Sequence, residues 1–508
     1  MTRPMGTVHR VLHPHPISTL DEYLVARGGQ GLEAARQVEP EVLIAEVEAS
    51  GLRGRGGAGF PTGTKWRTVW ENRSDVLAAT VVVNAAEGEP GTFKDRTILR
   101  NNPYQVLEGA LIAARAVAAT QIIFGMKRTF ATEVARVNTV IKEAHAAGWI
   151  DDGLDVRVFE GPSEYLYGEE TALLEAIAGR HPLPRIAPPF RRGVTEVVPS
   201  GSDAAAESGL AAPVSMAGPS AEGVAPPTLV DNVETLANVP RIIARGAAWF
   251  RTVGTEQSPG TIVCTVTGSV RRPGVGEAPM GTPLREVIHD IGGGPADGRR
   301  IRAVLSGVAS GLITEAHLDT PIGYETLQEV GGGLGSAGFM VFDDEDDIPA
   351  AVAGVSRFLA VESCGQCTPC KQDGLTLADA LARVCRGAGD ATDLEVIAQR
   401  AATVGENARC YLALQHQAVV TSLVERFPND LADRITGKVG DDTGGDIGGD
   451  IAAGPALVTE LVDLEAGRVT LDERFLQKQP DWTYGDEWSG KAPADRFVDH
   501  RAPEELET

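Results

Sequence analysis

A chain of 508 residues is long enough for several domains, and its formal net charge of −24 leaves no basic face to displace counterions from a nucleic-acid backbone. No apolar run reaches bilayer length, and the start, with His9, His13 and His15, lacks a signal-peptide core, so a cytoplasmic protein without direct membrane insertion is expected. The cysteines, three of them crowded into one short run, are not patterned as a disulfide framework.

Residues 1–50 form a lead-in segment whose stretches 32–36 and 40–47 have helical spacing, the second with Pro40 near its start. A glycine-dense loop follows at 51–63. The β-branched run Ala79 to Asn84 reads as a buried strand. Further strands at 122–124 and 156–159 alternate with helical stretches at 103–119, 128–147 and 170–178, which indicates an α/β layer to about residue 245. Within it, 191–227 is rich in Gly, Pro, Ser and Ala and reads as a long surface insertion. A second unit spans 258–342, with first and last strands at 261–268 and 338–342 and a helix at 283–291. Residues 343–436 turn helical, and 437–454 form an acidic, glycine-rich linker to a tail carrying Trp482, Tyr484 and Trp488.

Cys364, Cys367 and Cys370 repeat as C-x2-C-x2-C, the spacing that presents successive thiolates to neighbouring irons of one polynuclear cluster. A fourth thiol completes a [4Fe–4S] set; Cys410 is the first candidate and Cys385 a competitor. Structural zinc, the alternative, usually uses two separated C-x2-C pairs. Gly54-Arg55-Gly56-Gly57-Ala58-Gly59 fits G-x-G-x-x-G, but the strand comes after it rather than before, against a Rossmann site. Its glycines still allow backbone N–H groups to close on a phosphate or flat ring, with Lys65 as a cationic neighbour; a plain tight turn is the other reading. Glu87 and Glu89 follow the first strand, where α/β folds place ligands. Glu169 and Glu170 form a second acidic pair, equally readable as N-terminal caps of the helix at 170.

Together with Phe93-Lys94-Asp95-Arg96, Tyr165-Leu166-Tyr167-Gly168-Glu169-Glu170-Thr171 and Asn232-Val233-Glu234-Thr235, these motifs occur in one order over about residues 40–430. In this the chain resembles the FMN- and NADH-binding flavoprotein subunit of respiratory complex I and its relatives in NAD-linked hydrogenases and formate dehydrogenases. The resemblance implies an α/β flavin-binding domain at 51–250, a β-grasp (ubiquitin-like) domain at 258–342, and a C-terminal helical iron–sulfur domain. It assigns Gly54, Arg55, Gly56, Gly57, Gly59, Lys65, Asn84, Glu87, Gly168, Glu169, Glu170, Asn232 and Thr235 to FMN, with Glu170 near the meeting of flavin and nicotinamide. Phe60, Glu89, Tyr165 and Phe190 fall to NADH, and Cys410, beside Tyr411-Leu412-Ala413, becomes the fourth cluster ligand. No side chain need act as nucleophile or general base, since the cofactors supply the redox chemistry: hydride from NADH to flavin, then single electrons to the cluster.

The implied partners are a small thioredoxin-like [2Fe–2S] subunit and a larger iron–sulfur or catalytic subunit. The chain departs from the family at Ala86 and Gly88, where a carboxylate and a serine are usual, at Asp231, where an asparagine is common, in the insertion, and in the tail. The insertion, the tail and Ala86 lean towards an NAD-linked formate dehydrogenase or hydrogenase over complex I; a scaffold that has lost FMN is the non-enzymatic alternative. The tail, with its aromatic cluster after a polar linker, is expected to dock a partner.

Overall fold

The computed structural model describes residues 9–74, 77–185 and 227–436, and the backbone of two strands at 461–465 and 468–471. Phe190, residues 191–226 of the insertion and the aromatics Trp482, Tyr484 and Trp488 lie outside the described residues.

Four parallel strands form the first sheet: β1 (Ala79–Ala85), β2 (Ala119–Lys127), β3 (Asp155–Gly161) and β4 (Thr228–Asn232), in spatial order β3-β2-β1-β4. The chain thus steps from β1 outward to β3 and returns to the other side of β1. That reversal opens a crevice at the carboxyl ends of β1 and β4, the place where open parallel sheets take ligands. Val81, Val82 and Val83 are fully buried, because helices cover both faces of β1. Pro103–Ala116 and Val233–Arg245 pack against one another over the sheet, with Tyr104, Leu107, Leu236 and Val239 in a common core.

Two elements here escape the periodicity reading. β4 follows the Gly/Pro-rich stretch and has only Leu229 and Val230 as apolar signal, yet it pairs with β1 from Thr80↔Thr228 to Asn84↔Asn232. The helix Lys94–Asn101 reads as polar, but Lys94, Asp95 and Arg96 are all buried.

The second sheet begins with β5 (Thr261–Gly268) and β6 (Gly274–Pro279), an antiparallel pair, followed by β7 (Ile301–Ser306), β8 (Ile313–Thr314) and β9 (Gly338–Asp343). Its first and last strands, β5 and β9, lie side by side in parallel, and the helix Leu284–Gly292 packs against β5 and β6: a β-grasp. On β7 and β9, Val304, Phe339 and Val341 face the unit's own core, while Ala303, Leu305, Met340 and Phe342 join the core of the helical region beyond. β9 is therefore buried on both faces.

That helical region consists of Ile348–Glu362, Gly374–Cys385, Ala391–Thr403, Leu412–Arg426 and Pro428–Ile435. Part of the tail beyond the linker returns to the molecule. β10 (Leu461–Glu465) and β11 (Arg468–Leu471) form a hairpin that extends the β-grasp sheet beside β6 through Arg468↔Gly274.

Candidate functional site

The glycine loop joins the helices Pro40–Ser50 and Thr62–Glu71 as a short hairpin, closed by Gly54 N–H donating to Phe60 O (2.8 Å) and Thr62 N–H to Leu52 O (2.9 Å). Gly57 has φ +132°, a conformation that side-chain-bearing residues avoid, and the nearest heavy atom to where a Cβ would sit is 4.0 Å away. Gly59, at φ +63°, could not carry a Cβ, which would lie 2.5 Å from the Tyr324 ring. Tyr324 comes from the β-grasp and donates its hydroxyl to Gly54 O (2.7 Å). The backbone N–H groups of Gly56, Gly57 and Ala58 have no hydrogen-bond partner among the described residues, which leaves donors available to an anionic group. Phe60 stands 53% exposed at its edge.

The loop sits at the carboxyl ends of the strands: a Cβ on Gly56 would touch the Asn232 Cβ at 3.3 Å. Asn232 ends β4 in register with Asn84 on β1. Asn84 Nδ2 donates to Gly168 O (2.8 Å), bringing the Tyr165–Gly168 turn to the crevice. Lys65 Nζ donates to Glu170 Oε1 (2.6 Å) and Val230 O (2.7 Å). Beside it, Asp231 Oδ2 accepts from Trp66 Nε1 (2.7 Å). Burial pushes Asp231 up to about 6, against the downward pull of Lys65 and Trp66.

The crevice thus gathers Gly54, Gly56, Gly57, Gly59, Lys65, Asn84, Gly168, Glu170 and Asn232 from separate parts of the chain.

Other residues in the sequence assignment are engaged elsewhere. The Arg55 side chain is fully buried, donating to Pro259 O (3.1 Å), and its own N–H is held by Thr235 Oγ1 (2.8 Å). Both residues therefore brace the loop from behind. Glu87 accepts from Asp95 N–H (2.9 Å) and Arg96 Nε (2.9 Å), which fixes the start of the Lys94–Asn101 helix. Glu169 caps the helix Glu170–Ile177, accepting from Thr171 N–H (3.0 Å), Ala172 N–H (2.8 Å) and the Thr171 hydroxyl (2.6 Å).

Sequence reasoning missed the network beneath Asn232. Lys94 Nζ lies 2.7 Å from Asp95 Oδ1, 3.0 Å from Asn232 Oδ1 and 3.0 Å from Glu234 Oε2. Burial alone would pull this ammonium down, but Asp95 and Glu234 outweigh it and hold it above its ordinary value. Asn232 Nδ2 donates in turn to Asp95 Oδ2 (2.7 Å), and Glu234 Oε1 accepts from Val263 N–H of β5 (2.8 Å). The signal available was a run of charged residues inside the motif Phe93-Lys94-Asp95-Arg96.

Glu89 and Tyr165 join the three units. Tyr165 donates its hydroxyl to Glu89 Oε2 (2.6 Å), and Glu89 Oε1 accepts from Val308 N–H of the β-grasp (2.6 Å). Burial raises Glu89, the Tyr165 hydrogen bond opposing it. From the helical region, Glu362 accepts from Tyr165 N–H (3.0 Å), Gln415 Nε2 reaches its hydroxyl (3.2 Å), and Phe358 packs edge-on at 5.1 Å.

Next to this junction, Cys364, Cys367, Cys370 and Cys410 line one small concavity with Leu166, Pro184 and Arg409. Cys370 sits in a wide helical turn, Pro369–Asp373. Polar hydrogens surround the sulfurs: Arg409 N–H points to Cys367 Sγ (3.3 Å), Gln366 Nε2 to Cys364 Sγ (3.4 Å), and the Ser363 hydroxyl lies 3.2 Å from Cys370 Sγ. No group of three or more His, Cys, Asp or Glu among the described residues converges as ligands of a single metal ion. Four thiols on one concavity, three of them at C-x2-C-x2-C spacing, suit a polynuclear cluster. Cys385 is not part of this lining.

Three family models match the chain: the Nuo51 FMN-binding domain over residues 47–241, the SLBB domain over 263–311, and the NADH-ubiquinone oxidoreductase-F iron–sulfur binding region over 350–434. The chain is 36% identical to an F-type NADH-quinone oxidoreductase chain of Rhizobium meliloti (strain 1021), over 77% of its own length and 89% of that protein. It is 33% identical to the HndC chain of the NADP-reducing hydrogenase of Solidesulfovibrio fructosivorans, over 83% and 81%. Among solved structures, an NAD+-reducing [NiFe]-hydrogenase in the H2-reduced state matches with a TM-score of 0.69 and 30% identity, covering 83% of this chain and 67% of that one. A glycine loop at the switch point of a parallel sheet, a β-grasp against it and four thiols on a helical region beyond are thus the parts of one known architecture, and the chain belongs to the family of F-type NADH-quinone oxidoreductase subunits.

Proposed function

We propose that this chain is the NAD(H)-reacting subunit of a multi-subunit oxidoreductase, with FMN in the crevice between β1 and β4 and one [4Fe–4S] cluster on Cys364, Cys367, Cys370 and Cys410. The observation that carries this reading is the unpartnered backbone donors of the glycine loop, which sits at the switch point with Gly56 close against Asn232. FMN, when bound, supplies the exchange between a hydride and single electrons. The chain's residues orient and enclose it: the Gly56–Ala58 amides hold an anion, Lys65 offers a cation, and Asn84 and Asn232 fix the floor. Phe60 presents an exposed face for the nucleotide to stack on. The turn Tyr165–Gly168 links the two sites: Gly168 O meets Asn84 at the crevice, and Leu166 lines the thiol concavity.

Within the family, the reading favoured here is the NAD end of a heteromeric NAD-linked hydrogenase or formate dehydrogenase. It would work beside a thioredoxin-like [2Fe–2S] subunit and a larger iron–sulfur or catalytic subunit. Likeness to the NAD+-reducing hydrogenase over 83% of the chain supports it, as does the tail, which lies beyond the family matches. Likeness to NADH-quinone oxidoreductase chains at 36% and 35% identity favours the second reading, the flavoprotein of a quinone-reducing complex.

Isolation of the native complex with mass spectrometry separates the two. The expected result is a co-purifying hydrogenase or formate dehydrogenase subunit; membrane subunits with quinone-dependent activity establish the second reading instead. Truncation after Lys438 is expected to leave NADH–ferricyanide activity of the chain intact and to reduce recovery of the partner. Equal recovery removes the tail's docking role.

NADH is the expected nucleotide. Each Glu89 oxygen accepts one hydrogen bond from the protein and keeps a lone pair for a ribose hydroxyl, whereas a 2′-phosphate meets like charge. At about pH 8, ferricyanide reduction should be roughly tenfold or more faster with NADH than with NADPH, and Glu89→Gln should narrow the gap. Equal rates in the parent chain contradict this role.

A further inference from the structure

We propose that Asp231 is a positioning residue of the flavin site whose buried carboxylate shares the Lys65 ammonium with Glu170 and thereby weakens the hold of that cation on an anionic flavin. The inference rests on the reading above that Lys65 faces the flavin.

Asp231 is 5% exposed on β4, immediately before Asn232 at the crevice. Trp66, from the helix Thr62–Glu71, fixes its orientation through the 2.7 Å indole hydrogen bond. The charged groups acting on it are Lys65, from the same helix, and Glu170, from the helix Glu170–Ile177. Lys65 binds Glu170 directly at 2.6 Å and is held at Val230 O, one residue before Asp231, at 2.7 Å, so that Asp231, without a direct ion pair to it, adds a second negative charge to its surroundings. With both carboxylates ionised the triad carries one net negative charge at a site that receives an anion. With Asp231 neutral the triad is balanced.

The consequence depends on pH, and its direction is fixed. Burial lifts Asp231 to about 6, so its charge is present above that value and disappears below it. Flavin affinity of the parent chain should therefore gain as pH falls through this range, relative to a variant with no charge at 231. The flavin phosphate titrates nearby, but it does so in both proteins and cancels in the comparison.

The test uses the full-length chain, stripped of flavin and titrated with FMN by fluorescence quenching, as parent, Asp231→Asn and Lys65→Gln. At about pH 8, Asp231→Asn should bind FMN about tenfold more tightly than the parent, and at about pH 5 the difference should shrink to less than about twofold. The midpoint potential of bound flavin should be more positive in Asp231→Asn, because extra negative charge opposes electron uptake. The amide is isosteric and can still accept from Trp66, so a purely structural role would give no convergence of the two proteins at low pH. Equal FMN affinity of parent and Asp231→Asn across this range, with Lys65→Gln weakening FMN, overturns the proposal for Asp231 alone. If Lys65→Gln leaves FMN affinity unchanged, the placement of Lys65 at the flavin fails, and the proposal with it.

Discussion

Serine in place of Cys364, Cys367, Cys370 or Cys410, one at a time, is expected to abolish the reduced-cluster signal in electron paramagnetic resonance, whereas Cys385→Ser should leave it unchanged. The four thiols line one concavity, and a [4Fe–4S] cluster held by three thiolates and a harder hydroxyl is a poor fit to soft iron–sulfide ligation. Cys385 ends the helix Gly374–Cys385 outside that lining, and its backbone carbonyl accepts from Arg434 (2.7 Å), so its part is structural. A signal that survives in Cys410→Ser and vanishes in Cys385→Ser would reverse the assignment of the fourth ligand.

Lys94→Met should be among the most destabilising single changes in the flavin domain. The side chain is 1% exposed, and its ammonium balances Asp95 and Glu234, which are themselves buried. Removing it strands two buried carboxylates, a change that typically costs about 3–5 kcal/mol. Because Asp95 and Lys94 both bind Asn232, the loss also loosens the floor of the crevice. Differential scanning of the full chain should show a lower transition for Lys94→Met, partly recovered by adding Glu234→Gln, which removes one stranded charge. An unchanged transition in Lys94→Met would mean that the network does not carry the weight given to it here.

What could be read without coordinates was whatever has a local signature. The triplet Cys364, Cys367 and Cys370 states its chemistry through spacing, and the valine run of β1 states its burial through composition. The glycine loop was legible, from the order of helix and strand, as something other than a Rossmann turn; the hairpin closed by Gly54 and Phe60 agrees.

Other elements are set by tertiary context. β4 is recognisable as a strand only once β1 is beside it, and the switch point, which locates the crevice, does not exist until that pairing is known. Lys94, Asp95 and Arg96 look like a solvated helix face, and nothing local reveals that Glu234, Asn232 and Glu87 wait in the interior to pair with them. Likewise Arg55 and Glu169 belong to the right motifs, but their atoms are committed to Pro259 and to a helix cap, and a motif cannot say which way a side chain turns. The hairpin of β10 and β11 lay hidden for the same reason: the edge of β6 that receives it is distant in sequence.

On the proposed reading, one chain places a flavin crevice and a four-thiol cluster against the same turn, Tyr165–Gly168. Anaerobic addition of NADH to the full-length chain, loaded with FMN and with its cluster, tests it most directly, with flavin absorbance and the cluster's paramagnetic resonance recorded on the same sample. The account predicts bleaching of the flavin band together with the appearance of the reduced-cluster signal. Failure of the chain to bind FMN, or bleached flavin beside a cluster that stays oxidised, would contradict it.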